Sequence, residues 1–172
     1  IQVLGDAGYT REYQAEQFWR DNRLNPIHEG TNGIQALDLT FRKLWQKQGL
    51  GLKVLQQEIT RDLTAITNPQ TAKLAKKLTV YIEQLQPLLQ HVGQTLTTPQ
   101  AVTLTANAQA LMNVFATMVI SWIWIRQASK AEQLLALTED SDKQNFYHGK
   151  IQAAKYFIDW ELPLIQRDIG LL

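Results

Sequence analysis

The 172-residue sequence predicts an all-α fold, a helical bundle. Apolar residues recur at spacings of three and four throughout the chain, which is the period of amphipathic helices. Strictly alternating apolar and polar runs, the signal of half-buried strands, are nearly missing. Glycine and proline turn signals separate the periodic segments at helix-length intervals. These three observations together favour helices packed on one another.

Composition places the chain among ordinary globular proteins and excludes several classes. The 17 basic and 16 acidic residues leave a formal charge of +1, which is too small for a nucleic-acid or anionic-membrane footprint. Cysteine is absent, so the chain has no disulfides and no thiol nucleophile. The histidine, aspartate and glutamate residues show no spacing typical of a metal site. We therefore expect a cytoplasmic protein without a metal centre or a nucleic-acid partner.

The first two helices are predicted on either side of a proline and glycine turn. One begins at Thr10 and runs to about Leu24, because Pro26 cannot continue a helix. The next begins at Thr31 and is terminated by Gly49. The apolar residues at helical spacing on its predicted buried face are Ile34, Leu37, Phe41, Leu44 and Trp45.

Two further helices follow, separated by an Asn-Pro turn at Asn68 and Pro69. We expect the second of them to kink or end at Pro87. Thr98 is predicted to be an N-cap, with Pro99 at the first position of the helix that follows. The apolar positions of these two helices are Leu52, Leu55, Ile59, Leu63 and Ile66, and Leu74, Leu78, Tyr81, Ile82, Leu85 and Leu89.

The helix after Pro99 is the most apolar part of the chain, since no charged residue occurs between Val92 and Ile125. Polar side chains such as Asn107 and Asn113 interrupt it, which favours the centre of a bundle over a membrane span. The last helix is predicted from about Lys143 to Trp160, stopping at Pro163. Five aromatic residues at helical spacing are predicted to be core, namely Trp122, Trp124, Phe146, Phe157 and Trp160.

The stretch HEGTNGIQALDL, residues 28–39, places a glutamate on a glycine-rich turn at the entrance to a helix. Backbone geometry holds such a carboxylate in place, and few neighbouring cations neutralise it. This pattern is typical of a working carboxylate. Two other readings remain open from the residues alone. Glu29 could complement a helix N-terminus, and Thr31 and Asn32 are ordinary capping residues.

The opening IQVLGDAGYTREYQAEQFWRDNRLNPIHEGTNGIQALDL resembles the end of the catalytic helical domain of acyl-CoA dehydrogenases. Several spaced elements of that family occur here in order, over residues 1 to about 47. FYHGKIQAAKYFIDWELP, near the C-terminus, is similar to the helical extension of the long subgroup, which includes enzymes of the methylthiopropanoyl-CoA type. The resemblance implies two parts, the end of the catalytic domain at 1–48 and an extension at 49–172. The chain begins at Ile1 without a signal peptide, so we expect a C-terminal piece of a longer enzyme.

The resemblance implies oxidation of an acyl-CoA to a trans-2-enoyl-CoA, with FAD taking a hydride from the β-carbon. Glu29 matches the base that removes the α-proton. Such a base gains strength when substrate excludes water from it. Gly30 and His28 match substrate-contacting positions. His28 stands where the family commonly has a tyrosine. Arg20 and Asp21 match an Arg-Asp pair expected to brace the turn.

Two sets of residues match the family's cofactor-binding positions. Gln2, Gly5 and Gly8 match a turn that approaches the adenosine diphosphate part of FAD, where glycine lets the backbone come close to a pyrophosphate. Asp6 departs from the pattern, because a carboxylate there would repel a pyrophosphate unless it turns outward. The positions that match residues near the flavin are Thr31, Asn32 and Gly33.

The resemblance also implies partners. These are an acyl-CoA substrate, an electron-transfer flavoprotein or a similar acceptor, the remaining domains of the same enzyme, and further copies in a homo-oligomer. We expect the isolated chain to be inactive and to bind no FAD, since the family binds flavin and substrate with preceding domains. The alternative is a helical oligomerisation or docking module without catalysis. Asp6 and His28 favour that alternative, whereas the intact EGTNGIQ favours the enzyme.

Overall fold

A computed structural model describes residues 1–28 and 30–172, and within these residues every regular element is helical. This confirms the all-α prediction. Short 3₁₀ turns and one π-helical turn, Phe157–Glu161, join or extend the α-helices. The α-helices are α1 (Ala15–Arg23), α2 (Asn32–Phe41), α3 (Gln46–Thr64), α4 (Pro69–Thr95), α5 (Thr103–Leu135), α6 (Ser141–Tyr156) and α7 (Ile165–Ile169).

Helix α5 lies at the centre of the bundle, as predicted. It packs against α2, α4, α6 and α7, and it buries residues along its whole length. The larger core cluster joins α4, α5 and α6 through side chains such as Leu78, Ile125 and Ile158. A helix that contacts neighbours on several sides must be apolar on several faces, which explains why the part of α5 up to Ile125 has no charged residue.

A smaller core cluster attaches the N-terminal half of the chain to the bundle. It contains Leu44, Val92, Leu104 and Leu111, with Trp45 packed against it. The cluster therefore joins the segment after α2 to α4 and the first half of α5. This smaller core determines where the N-terminal part of the chain meets the bundle.

The predicted bounds of the first two helices were wrong. Thr10 follows a 3₁₀ segment, Gln2–Tyr9, and the first α-helix begins only at Ala15. Helix α2 ends at Phe41 rather than Gly49, because a 3₁₀ turn at Lys43–Trp45 redirects the chain before α3. Gly49 does adopt a positive φ of 74°, but this left-handed turn lies inside the first part of α3.

The predicted buried face of α2 was also partly wrong. Ile34 and Phe41 are exposed, whereas Ala36 and Thr40 are buried. Leu44 is buried and Trp45 is half-buried, as predicted. The small side chains of Ala36 and Thr40 allow α2 to lie close to its neighbours, and Leu39 packs beside them against the smaller core cluster.

The turn between α3 and α4 is confirmed, since the Asn68 side chain accepts a hydrogen bond from the Gln70 N–H at 2.9 Å and caps α4. Pro87 does not end α4, which continues to Thr95. The proline is exposed, while Leu85 and Val92 on either side of it are buried. Packing on both sides therefore holds the helix together across the hydrogen bond that proline removes.

Thr98 occupies the N-cap position before the 3₁₀ turn Pro99–Val102, as predicted, but it makes no capping hydrogen bond. Its hydroxyl instead donates to the Thr95 carbonyl at 2.8 Å. The stretch Pro99–Leu135 is long and apolar enough to cross a membrane, and 39% of its most apolar window is buried in the structure. Core helices of soluble proteins meet the same criterion.

The segment predicted to form the last helix consists of several elements. Helix α6 begins at Ser141, where the Asp140 carboxylate accepts from the N–H groups of Asp142 and Lys143. A π turn and a 3₁₀ turn then lead past Pro163 into α7, so helical structure continues beyond the proline. Trp122 and Trp124 pack against the core, and Phe157 is half-buried against Trp124. Phe146 and Trp160 are exposed, which contradicts their assignment to the core.

Candidate functional site

The described site residues lie on two exposed segments, one at residues 2–6 and one at residues 28 and 30–33, with α1 between them along the chain. Glu29, the predicted base, lies outside the described residues. Gln2, Gly5 and Asp6 lie on the first segment, and His28, Gly30, Thr31, Asn32 and Gly33 lie on the second. Specific nearby residues determine the backbone conformation of each segment.

Glycines shape the first segment. Gly5 has a positive φ of 57°, and a Cβ placed on it would have no atom within 4 Å, so its backbone lies open to an approaching group. Gly8 is buried, and a Cβ there would lie 2.5 Å from the Ile1 carbonyl oxygen. Gly5 therefore provides access, whereas Gly8 allows the turn to close on itself. Asp6 is exposed on the same turn.

Helix α1 follows, and none of its residues is buried. The Arg20 guanidinium, matched to the expected brace, donates to both Glu16 carboxylate oxygens, one turn earlier in the helix. The pairing is an ordinary i,i+4 contact on the helix surface. Asp21 contributes instead through its backbone carbonyl, which accepts from the Leu24 N–H at 3.2 Å.

A tight turn leads from α1 to residue 28. Pro26 lies in the 3₁₀ turn Asn25–Ile27, and the Leu24 carbonyl accepts from the N–H groups of both Ile27 and His28 at 3.0 Å. His28 then adopts an extended conformation, with φ −76° and ψ 127°. The backbone is thereby fixed up to the residue before Glu29.

The other side of the turn is fixed by Gly30 and the start of α2. Gly30 has φ 123°, which L side chains rarely adopt, and a Cβ there would lie 3.4 Å from the Ile34 Cβ. Thr31 is extended at the N-cap position, and its hydroxyl makes no capping hydrogen bond. Asn32 and Gly33 form the first turn of α2 and are exposed. This geometry requires glycine at position 30.

The far end of α2 is held by two interactions. The Arg42 guanidinium donates to the Asp38 carboxylate at 2.8 Å and holds the pKa of that carboxyl below its usual range. The Trp45 indole N–H donates to the Thr40 carbonyl at 2.7 Å. A Cβ on Gly93 of α4 would lie 3.0 Å from two carbons of the Trp45 ring. Gly93 therefore leaves space for the tryptophan that attaches α2 to the bundle.

The sequence prediction missed this Trp45 and Gly93 contact. The available signal was a single glycine inside a helical pattern, which often marks close packing. Within residues 1–28 and 30–172, no group of three or more His, Asp or Glu side chains is placed to hold a metal ion.

Several large apolar side chains of the N-terminal segment are exposed to solvent. Val3 is fully exposed, and Tyr9, Phe18, Trp19 and Ile27 are more than half exposed. The total accessible surface of 11585 Å² exceeds the roughly 8,600 Å² expected of a folded monomer of this mass. Several large exposed apolar side chains in one segment are typical of surfaces that other protein covers.

Comparison with known proteins identifies the class. Residues 54–171 match the family model described as acetyl-CoA dehydrogenase C-terminal like, and residues 1–44 match the acyl-CoA dehydrogenase C-terminal domain. The first of these matches covers more than half of the chain. The chain belongs to the acyl-CoA dehydrogenase family and matches its C-terminal helical domains. The predicted resemblance is therefore confirmed.

Relatives match over nearly the whole chain. A broad-specificity linear acyl-CoA dehydrogenase of Mycobacterium tuberculosis is 31% identical over 96% of this chain and 28% of its own length. A butyryl-CoA dehydrogenase of Syntrophomonas wolfei is 30% identical over 92% of this chain and 26% of its own length. A 3-methylmercaptopropionyl-CoA dehydrogenase of Ruegeria pomeroyi is 45% identical over 49 residues, which are 28% of this chain and 8% of that enzyme. The chain thus spans less than a third of these relatives.

Proposed function

We propose that this chain is the C-terminal part of an FAD-dependent acyl-CoA dehydrogenase and that Glu29 is its catalytic base. In this proposal the complete enzyme oxidises an acyl-CoA to a trans-2-enoyl-CoA in the cytoplasm. It passes the electrons to an electron-transfer flavoprotein or a similar acceptor. The remaining domains of the same enzyme complete the site, and the chain alone is inactive.

The observation that carries the proposal is the backbone on either side of residue 29. The 3₁₀ turn at Asn25–Ile27 and the extended His28 fix the chain before it, and Gly30 with its φ of 123° fixes the chain after it. A general base must be held within hydrogen-bonding reach of the proton that it removes. The backbone hydrogen bonds to the Leu24 carbonyl before residue 29, and the glycine conformation after it, support that requirement.

The chain's own residues have distinct tasks in this reaction. Glu29 takes the α-proton of the thioester, and the electron pair of the broken C–H bond becomes the second bond to the β-carbon as that carbon loses its hydride. Gly30, without a side chain, leaves room beside the carboxylate for the acyl chain. His28 covers the thioester from the preceding position. Excluding water raises the proton affinity of a carboxylate and thereby makes it a stronger base.

The exposed glycine turn fits part of a dinucleotide. The open backbone of Gly5 and the neighbouring Gln2 side chain would hold the adenosine diphosphate part of FAD, and residues 31–33 would lie near the flavin. FAD, when bound, supplies the hydride acceptor. Asp6 is exposed, so its carboxylate can point toward solvent and away from the phosphates. The first turn of α2 presents backbone N–H groups that the Thr31 hydroxyl does not occupy.

The test is Glu29→Gln in the full-length enzyme that contains this chain. The amide keeps the size of the side chain but cannot accept the proton. We expect the rate of flavin reduction by acyl-CoA to fall by about 10²- to 10⁴-fold, as is typical of a lost general base. Rapid mixing without oxygen measures this rate directly from the loss of flavin absorbance.

The matched control is Glu83→Gln, which makes the same change at an exposed position of α4. It should leave the rate unchanged. Both variants should retain flavin in the wild-type ratio. If Glu29→Gln reduces its flavin at the wild-type rate, the base is another residue and the proposal is wrong.

A further inference from the structure

Helix α2 is exposed where it follows the candidate turn and buried toward its other end. Residues 31–34 are exposed, whereas Ala36, Thr40 and Leu44, which follow one another at helical spacing, are buried. Leu44 belongs to the smaller core cluster, together with side chains of α4 and α5. The bundle therefore holds α2 by the part that is distant from Glu29.

Trp45, the residue after Leu44, is bound to α2 itself. Its indole N–H donates to the Thr40 carbonyl at 2.7 Å. The last carbonyl groups of an α-helix have no partner within the helix, so this hydrogen bond satisfies one of them. The tryptophan ring is thereby fixed to the last turn of α2, and displacing the ring displaces that turn.

The other side of the tryptophan ring lies against Gly93 of α4 without free space. A Cβ placed on Gly93 would lie 3.0 Å from the Cη2 and Cζ3 atoms of the ring, inside the roughly 3.5–4.0 Å at which carbon atoms attract each other. Val92 beside it is fully buried in the smaller core cluster, which holds this part of α4 in place. Trp45 is only half-buried. A side chain at position 93 would therefore displace the tryptophan rather than α4.

Helix α2 is short enough to transmit such a displacement to the candidate turn. Its ten residues span about 15 Å as a regular helix. Gly30 lies close to its first turn, since a Cβ on Gly30 would lie 3.4 Å from the Ile34 Cβ. Movement of one end of so short a helix tilts it and moves the other end by a similar distance. A misplacement of about 1 Å can slow a reaction about 10²-fold, even when it originates far from the chemistry.

We propose that Trp45, packed on Gly93, is a positioning residue for the reaction. The bundle sets the position of α2 through this contact, and α2 sets the position of Glu29. The inference rests on the proposed function, because it takes Glu29 as the base. It connects α4, a helix distant along the chain from Glu29, to the rate of proton removal.

The experiment compares Gly93→Ala and Gly93→Val in the full-length enzyme that contains this chain. Valine takes more of the space of the tryptophan ring than alanine does, so it should displace α2 further. We expect the rate of flavin reduction at saturating acyl-CoA to fall by about 10²-fold for valine and by less for alanine. The acyl-CoA concentration that gives half of the maximal rate should stay near its wild-type value, because the contact acts on the base.

The matched control is Gly149→Val, the same change at an exposed helical glycine of α6, where a Cβ would meet nothing within 4 Å. It should keep the wild-type rate. Flavin content and melting temperature are measured for every variant, and each rate is expressed per bound flavin. A purely structural role for Gly93 would lower the melting temperature of Gly93→Val and leave its rate per flavin unchanged, and that result would overturn the proposal.

Trp45→Phe gives a second test, because phenylalanine lacks both the outer ring carbons that lie against Gly93 and the indole N–H that binds Thr40. Alone it should lower the rate, since α2 loses this attachment. In the double variant with Gly93→Val, the smaller ring leaves room for the valine. The combined loss of rate should therefore be much less than the product of the two single losses, as for residues in contact. Losses that multiply would contradict the proposal.

Two further comparisons complete the test. If Gly93→Val does not fold, Gly93→Ala and Trp45→Phe decide, and wild-type rates per flavin in both would overturn the proposal. A slow Glu29→Gln beside unaffected Gly93 variants would overturn this inference alone. A wild-type rate in Glu29→Gln would overturn the proposed function and this inference with it.

Discussion

Two residues that are not glycine adopt left-handed backbone conformations at the start of α3. Lys47 and Gln48 have positive φ values of 49° and 59°, and Gly49 continues the series at 74°. Only glycine adopts this region without crowding between Cβ and backbone, and other residues lose about 1–2 kcal/mol there. The turn places Trp45 against α4 and then starts the body of α3, so tertiary packing supports a locally unfavourable conformation.

This conformation makes a prediction for Gln48→Gly. Removing the Cβ relieves the crowding, and we expect the free energy of unfolding to rise by up to about 1 kcal/mol. Gln57→Gly, in an exposed and regular part of α3, should lower it by about 0.5–1 kcal/mol. Urea denaturation measures both. Equal losses of stability in the two variants would show that position 48 is not strained.

Gly30 also determines the backbone geometry of the candidate site. Gly30 has a φ that other residues rarely adopt, and Ile34 lies close to where a Cβ would be. The glycine is thus required by the backbone whatever its role toward substrate. Gly33, in contrast, has only the Thr31 hydroxyl near the place of a Cβ, at 3.8 Å.

Among the elements, α4 and α5 are joined by a polar contact inside the bundle. The buried Thr71 hydroxyl, in the first turn of α4, donates to one carboxylate oxygen of Glu132 near the end of α5. The other Glu132 oxygen is buried without a hydrogen-bond partner in the protein. Removing the threonine donor would leave a desolvated carboxylate with neither oxygen paired by the protein.

We therefore expect Thr71→Val, which keeps the shape of the side chain, to lower the free energy of unfolding by about 1.5–3 kcal/mol. Thr79→Val is the control in the same helix, because the Thr79 hydroxyl donates only to the Ala75 carbonyl of its own helix. Thr79→Val should lower the free energy of unfolding much less. If the two valine variants unfold at the same urea concentration, the contact between helices contributes no stability.

At the scale of the whole molecule, the two core clusters share side chains and should unfold together. Phe115 of α5 packs against both clusters, as do Leu88, Leu89 and Leu172. The bundle therefore has one continuous interior, with α5 running through it. The N-terminal segment, in contrast, has large exposed apolar side chains and an α1 without buried residues.

Phe115→Ala tests this continuity. It should destabilise the chain by about 3 kcal/mol, the lower end of the range for a truncated core phenylalanine, because the ring is only partly buried. Ile120→Ala, at an exposed position of the same helix, should have little effect. Thermal melts should show one transition that shifts as a unit. A Phe115→Ala variant with wild-type melting would show that the clusters are independent of this ring.

The sequence by itself determined what depends on neighbouring residues along the chain. Helical period predicted the fold class and the central apolar helix, the Asn-Pro dipeptide predicted the turn at Asn68 and Pro69, and the ordered motif around HEGTNGIQ predicted the family. These signals are local because backbone hydrogen bonding, capping and turn chemistry involve residues a few positions apart.

Only the tertiary structure decided which face of each helix has a neighbour. Ala36 and Thr40 turn inward in place of Ile34 and Phe41, and Phe146 and Trp160 remain exposed although α6 is apolar on both sides. An apolar pattern shows that a face is to be covered, but it does not identify what covers it. Burial depends on shape, close approach and the surfaces present, which residues distant in the sequence supply.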